Sequence, residues 1–172
     1  MSAFLQPRAI QVEDCYDTFE CGEPSLDEWI TARAVKNERG RASRTFVSID
    51  RDSGLVAGYY CLSSSSLRTS GAPGALKRNM PDPIPIILLG RLAVDTRFKG
   101  QSLGVSLLQH AFLKSVEASR IVAAKALIVH AISDSAETFY KKFGFKLVPE
   151  SSRAMYVLMD DAEATIASQG PS

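Results

Sequence analysis

Apolar residues follow two spacings along this chain, and the switches between them mark its elements. In "PSLDEWITARAVKNERG" (residues 24–40), Leu26, Trp29, Ile30, Ala34 and Val35 fall on one helical face. Ser25 is placed to cap this helix, Glu28 to complete a capping box, and Gly40 to end it. "TFVSI" and "LVAGYYCL", the latter running on into "SSSS", read as strands around "DRDSG", a hairpin turn in which Gly54 takes a positive φ. "RTSGAPGALKRNMPDPIP" has glycine, proline and charge but no period, and reads as a loop. Pro81, Pro83 and Pro85 hold the backbone extended and lack amide donors, so pairing on that side is expected only past Pro85. "IPIILLGRLAV" (84–94) is an apolar strand with little alternation, the pattern of burial on both faces, and Gly90 within it suggests a bulge.

Helical spacing returns over residues 101–119 through Leu103, Leu107, Leu108, Ala111 and Phe112. "KALIVHAI" is a further apolar strand. "SDSAETFYKKFGF" is a short helix capped by Ser133 or Asp134 and ended by Gly144. "FKLVP" and "AMYVLMD" are closing strands, and "DDAEATIASQGPS" is a short helix or a frayed tail over about residues 160–172. A short first strand is expected near Ala9–Val12. Helices and strands alternate late but not early, which specifies an α/β (α+β) chain with a mixed sheet and helices on both faces.

The 172 residues suit a single domain with a substantial core. No apolar run is long enough to span a bilayer, and "MSAFLQPRAIQVED" lacks a signal-peptide layout, so a cytoplasmic protein without a membrane partner is expected. Cys15, Cys21 and Cys61 are odd in number and without paired spacing, so they read as reduced thiols. With only His110 and His130, a histidine-rich metal centre is excluded and no metal is expected. The net charge of +1 is unevenly spread. Residues 1–32 hold Arg8 against seven acids, and residues 33–100 hold twelve Lys and Arg against five acids. That middle segment, with Arg33, Lys36, Arg39, Arg41, Arg44, Lys77, Arg78, Arg91, Arg97 and Lys99, could build a polyanion-binding face. The charge count by itself favours solvated charges facing different ways.

"RFKGQSLG" (97–104) stands between the strand ending at Val94 and a helix expected from Gln101 onward. A helix N-terminus carries unpartnered amides and partial positive charge. Gly100 and Gly104 allow close approach of backbone to a ligand, and Arg97 and Lys99 add full charges. This suits a diphosphate held by amides, although an ordinary strand-to-helix turn has the same composition. The spacing supports neither a Walker loop nor a Rossmann site.

Arg97-Phe98-Lys99-Gly100-Gln101-Ser102, then Leu103-Gly104, resembles the [R/Q]-x-x-G-x-[G/A] signature of the GNAT superfamily of acetyl-CoA-dependent N-acetyltransferases. "AETFYKKFGF" resembles the A-x-x-F-Y-x-x-x-G-F segment of the same superfamily. The resemblance implies a GNAT-like mixed, mostly antiparallel twisted sheet. It implies that the amides of Gly100, Ser102, Leu103 and Gly104, with Arg97, Lys99, Gln101 and Phe143, form the acetyl-CoA site, and that Leu92, Ala93 and Val94 pair with the pantetheine arm. Tyr140 then takes the place of the tyrosine that protonates the departing thiolate. Ser102 departs from the usual glycine or alanine.

"RTFVSI…LVAGYYCLSSSS…LKRNMPDPIPIILLGRLAVD" is similar to the TacT-like toxins of bacterial type II toxin–antitoxin modules. That likeness implies acetylation of the α-amine of aminoacyl-tRNA, a block of translation, a ribbon–helix–helix antitoxin, operator DNA bound only through that antitoxin, and a homodimer. It also turns the charge distribution towards a tRNA-binding face of Lys36, Arg39, Arg41, Arg44, Lys77, Arg78 and Arg91. Arg91 has the alternative of pairing within the sheet. A small amine or protein N-terminus as acceptor, or an inactive binding protein, are the other readings. His130 reads as a structural histidine in an apolar strand, Asp95 and Asp134 as strand-end and cap residues, and Ser63 to Ser66 as a polar strand end near the acceptor.

Overall fold

The computed structural model describes residues 2–149, 151 and 153–169. The chain divides into two compact units, Met1–Ser63 with Gly90–Ala111 and Ser64–Leu89 with Phe112–Ser172.

In the first unit, strand β1 (Arg8–Ala9) pairs antiparallel with β2 (Arg44–Ile49), and β2 pairs antiparallel with β3 (Val56–Leu67). The hairpin turn is the expected one. Asp50 accepts from the Ser53 amide (2.9 Å) and hydroxyl (2.6 Å), and Gly54 takes φ +74°. The first strand is shorter and earlier than Ala9–Val12. The stretch 24–40 forms two helices, α1 (Pro24–Ala32) and α2 (Ala34–Arg39), separated at Arg33, whose φ is −122°. Ser25 is not the cap. The helix starts two residues earlier, with Glu23 at the N-cap, because the fixed φ and absent amide of Pro24 suit a first helical position. Gly40 ends α2 as expected.

Leu26, Trp29, Ile30 and Ala34 pack with Ile10, Phe19, Val47, Val56, Tyr59 and Cys61 in the core of this unit. Tyr59 is at its centre. Its ring stacks on Trp29 (centroids 5.8 Å apart) and meets Phe19 edge-on (5.4 Å), and its hydroxyl donates to the Leu26 carbonyl at 2.7 Å. Burying such a side chain contributes roughly 1.5–3 kcal/mol, and the hydroxyl keeps a partner.

Helix α4 (Leu103–Ile121) begins two residues later than its spacing suggests. Ser102 has φ +63°, outside helical space, so the helix starts after it. Leu103 and Leu107 lie directly over Gly58 of β3. A Cβ at Gly58 would come within 2.8 Å of Leu107 Cδ1 and 3.1 Å of both Leu103 Cδ2 and the Ala93 carbonyl oxygen.

Residues 84–89 of strand β4 (Ile84–Val94) belong to the second unit, where they run parallel to β5 (Ala126–His130) from Ile86 opposite Ala126 to Leu89 opposite Val129, so pairing with β5 begins past Pro85. β5 pairs antiparallel with β7 (Ala154–Leu158), and β7 with β6 (Lys146–Leu147). The chain is thus mixed and mostly antiparallel. Helix α5 (Asp134–Lys141) is capped by Ser133, whose hydroxyl accepts from the Ala136 amide at 3.1 Å, and Gly144 follows it at φ +90°.

Two expectations are corrected here. The stretch before β4 is not all loop, because Gly74–Lys77 form one helical turn, α3, pinned by fully buried Leu76 among Ala72, Ile84, Ile86 and Ile128. A single turn is too short to show a period. Nor is β4 buried evenly: Ile84, Ile86, Leu89 and Ala93 are buried, whereas Gly90 is exposed and Leu88, Arg91 and Leu92 are half-buried. Helix α6 covers Met159–Gln169, and residues 170–172 lie outside the described residues.

Gly58→Ala is expected to lower stability by about 1–3 kcal/mol, the usual cost of overpacking, since one of its clashes is with a backbone oxygen. Thermal or urea unfolding reads this out directly.

Candidate active site

The corner foreseen at residues 97–104 lies wholly in the first unit. Strand β4 ends at Val94, a 3₁₀ turn covers Thr96–Phe98, and α4 starts at Leu103. Gly100 takes φ +80°, with open space where a Cβ would stand, and Ser102 takes φ +63°. Intrahelical pairing begins with the Ser106 amide donating to the Ser102 carbonyl at 3.2 Å, which leaves the amides of Leu103, Gly104 and Val105 ahead of it. Amides without a helical partner thus gather at this corner, where Gly100, Gln101 and Ser102 are exposed residues and Leu103 is buried as the anchor.

The two basic side chains behave differently from each other. Arg97 is turned onto Asp95, with Nε 2.9 Å from Oδ1 and Nη2 2.7 Å from Oδ2, and Nη2 also donates to the Thr18 carbonyl at 3.1 Å. Its charge is therefore compensated within the protein, contrary to the full free charge expected from sequence. Lys99 donates to the Cys21 carbonyl at 2.8 Å, a neutral acceptor, and keeps its net charge at the corner. Asp95 is fully buried. Burial alone would raise its carboxyl, but hydrogen bonds from Arg97 and from the Glu20 amide outweigh that and hold it below the usual carboxylate range. From the sequence alone, Asp95 reads as a plain strand end. Its spacing two residues before Arg97 was the available signal.

Tyr140, in the second unit, is buried on α5 against Phe139 (5.4 Å) and Phe145 (5.3 Å), and Phe143 packs on Phe139 at 5.2 Å. Burial pushes its phenol well above the ordinary tyrosine value, so it stays protonated at neutral pH. The thiols of Cys21 and Cys61 are pushed up by burial too, the former to about 11, in keeping with inert structural cysteines.

A cleft of about 480 Å³ opens in the same unit, lined by buried Ile86, Ile128 and Ala154 and by exposed Ser65, Ser66 and His130. His130 is the last residue of β5 and is exposed, not enclosed in the sheet as its apolar neighbours suggested. Among the basic candidates, Lys36, Arg39 and Arg41 are exposed on and just after α2, and Lys77 and Arg78 are exposed at the end of α3. Arg44 is exposed but pairs with Glu38 at 3.3 Å. Arg91 lies over the Trp29 ring, its Cζ 4.6 Å from the centroid, which favours an internal role. No group of three or more potential metal ligands occurs among the described residues.

The model of the acetyltransferase (GNAT) domain matches residues 42–147. The chain belongs to the GNAT acetyltransferase family. A curated relative, the tRNA-acetylating toxin of Mycobacterium tuberculosis, is 43% identical over 166 residues, covering 96% of this chain and 99% of its own. Among solved structures, the toxin AtaT complexed with acetyl-methionyl-tRNAfMet superimposes with a TM-score of 0.84 at 29% identity, covering 94% of this chain and 98% of that one. A tyrosine-to-phenylalanine variant of AtaT bound to the C-terminus of the antitoxin AtaR and acetyl-CoA gives 0.79 at 28% identity, covering 95% and 98%.

The GNAT signature ordinarily carries glycine or alanine where this chain has Ser102. Because that residue takes a left-handed conformation, Ser102→Gly should stabilise the protein by about 1 kcal/mol, seen as a raised Tm.

Proposed function

We infer that this protein is an acetyltransferase toxin that moves the acetyl group of acetyl-CoA onto the α-amine of aminoacyl-tRNA and so stops translation. The observation that carries the reading is near full-length likeness to a tRNA-acetylating toxin, in a chain whose signature corner has Gly100 and Ser102 in left-handed conformations ahead of a helix start. The amides of Gly100, Ser102, Leu103 and Gly104, with Lys99 and Gln101, hold the diphosphate of acetyl-CoA. Leu92, Ala93 and Val94 carry the pantetheine, with a strand amide polarising the thioester carbonyl. In the transfer, the amine nitrogen forms its bond to the acetyl carbon, the carbon–sulfur bond breaks, and Tyr140 gives its proton to the thiolate. The extra proton on the new amide nitrogen leaves to solvent, and Tyr140 takes a proton back from solvent, which restores the phenol. Arg97 serves this site through its backbone and its grip on Asp95.

Phosphate contacts from Lys36, Arg39, Arg41, Lys77 and Arg78 supply affinity for the tRNA without base specificity. The cleft beside Ser65, Ser66 and His130 has the size and mixed polarity to take an aminoacyl group. AtaT's complexes with AtaR support an antitoxin partner here, which we take to be a ribbon–helix–helix protein that alone contacts operator DNA. The same reading makes the toxin a cytoplasmic homodimer.

Translation in a cell-free extract tests the reaction. Wild type should inhibit only with acetyl-CoA, and Tyr140→Phe should lower the acetylation rate by about a hundredfold or more, as loss of a general acid does. Inhibition without acetyl-CoA, or equal rates in the variant, would refute this mechanism. For the tRNA contacts, replacing Lys77 and Arg78 together by alanine should weaken aminoacyl-tRNA binding for every sequence and reduce the slope of log K against log salt by about two. An unchanged slope would remove both residues from the interface.

A further inference from the structure

We propose that Asp95 is a positioning residue for acetyl-CoA: a buried carboxylate that fixes the amides of residues 96–104 by holding Arg97 and an N-terminal strap, Thr18–Cys21. The inference rests on the acetyl-CoA reading of that corner and adds the device that keeps it in shape.

Asp95 has no exposed surface, yet accepts four hydrogen bonds. Its Oδ1 receives the Arg97 amide (2.9 Å) and Nε (2.9 Å), and its Oδ2 receives Arg97 Nη2 (2.7 Å) and the Glu20 amide (3.0 Å). The strap closes on the same turn from its other side. The Thr96 amide donates to the Glu20 carbonyl at 2.8 Å, Arg97 Nη2 to the Thr18 carbonyl at 3.1 Å, and Lys99 Nζ to the Cys21 carbonyl at 2.8 Å. The Asp95 amide is itself tied to the Ala57 carbonyl of β3 at 2.8 Å.

The segment between Phe98 and Leu103 has no regular structure of its own, and two of its residues, Gly100 and Ser102, sit in left-handed conformations. Such a segment presents its amides in one direction only if both ends are fixed. Leu103 and Leu107 fix one end by packing over Gly58, and Asp95 fixes the other. Arg97 is then a tether, and the diphosphate is left to amides and to Lys99, whose partner is neutral.

The rival role for Arg97, a phosphate ligand restrained by Asp95, predicts the opposite sign. Removing the carboxylate charge would free the guanidinium and tighten binding, whereas removing a positioning group weakens it. Calorimetric titration of acetyl-CoA into the full chain decides this. Asp95→Asn should raise the Kd about tenfold or more, while kcat at saturating acetyl-CoA and KM for aminoacyl-tRNA stay within about twofold of wild type. Binding as tight as wild type, or tighter, overturns the proposal. So does a KM for acetyl-CoA that is unchanged while kcat collapses. A wild-type protein that binds no acetyl-CoA would overturn the reading of the corner as well, and is told apart by that control. Arg97→Ala provides a second route should Asp95→Asn fail to fold, since its side chain is 44% exposed. In the cofactor-free protein, exchange of the hydrogen-bonded amides of Thr96, Arg97 and Phe98 should quicken about tenfold or more in this variant. Exchange equal to wild type would overturn the proposal.

Discussion

The missing side chain at Gly58 sets how close α4 can come to β3, and much else in the first unit follows from that approach. Leu103 and Leu107 on the first turn of α4 and the Ala93 carbonyl of β4 all close on the bare backbone of Gly58. Strand end and helix start are thereby fixed to one another across a gap of eight residues, Asp95 to Ser102. A chain that must turn in so few residues has limited freedom, and here it uses a 3₁₀ turn followed by left-handed residues at Gly100 and Ser102. Both left-handed residues are exposed. In the proposed acetyl-CoA site the presentation of amides therefore depends on close packing behind it, and the glycine in "LVAGYYCL" serves that site although no ligand would touch it.

The long periodic elements were legible because their signals are redundant. Strand β4 has the bounds Ile84–Val94 that its apolar run indicates, and Leu107, Leu108, Ala111 and Phe112 on α4 are buried as their spacing requires. Ends were less legible, since they depend on single residues. Pro24 moved the start of α1, and Ser102 moved the start of α4. The turn α3 was hidden because its burial rests on one leucine, Leu76, rather than on a repeat.

Within the site, residue types were legible and their electrostatics were not. "RFKGQSLG" announces positive charge, but whether a cation is free depends on which acceptors the fold brings to it. Thr18 meets Arg97, and Glu20 meets Asp95, across more than seventy residues of sequence and only through tertiary structure. His130 shows the same limit in reverse: its neighbours in "LIVHAI" are apolar, yet a strand's last residue can turn to solvent whatever precedes it.

The chemistry asked of these groups agrees with what they are. An α-amine titrates near 8, and lower when its carboxyl is esterified, so a sizeable neutral fraction exists near neutral pH without a catalytic base. A lysine acceptor, near 10.4, would be neutral in only a few parts per ten thousand at pH 7 and would call for a strong base. The aromatic pocket of Tyr140 offers the reverse of a base, because burial holds its phenol protonated. Such a group suits the thiolate, which needs a proton, and is useless for deprotonating an ammonium. Selectivity for a charged tRNA over other α-amines must then come from binding energy remote from the nitrogen. In the proposed reading, the exposed cations on and just after α2 and at the end of α3 provide it.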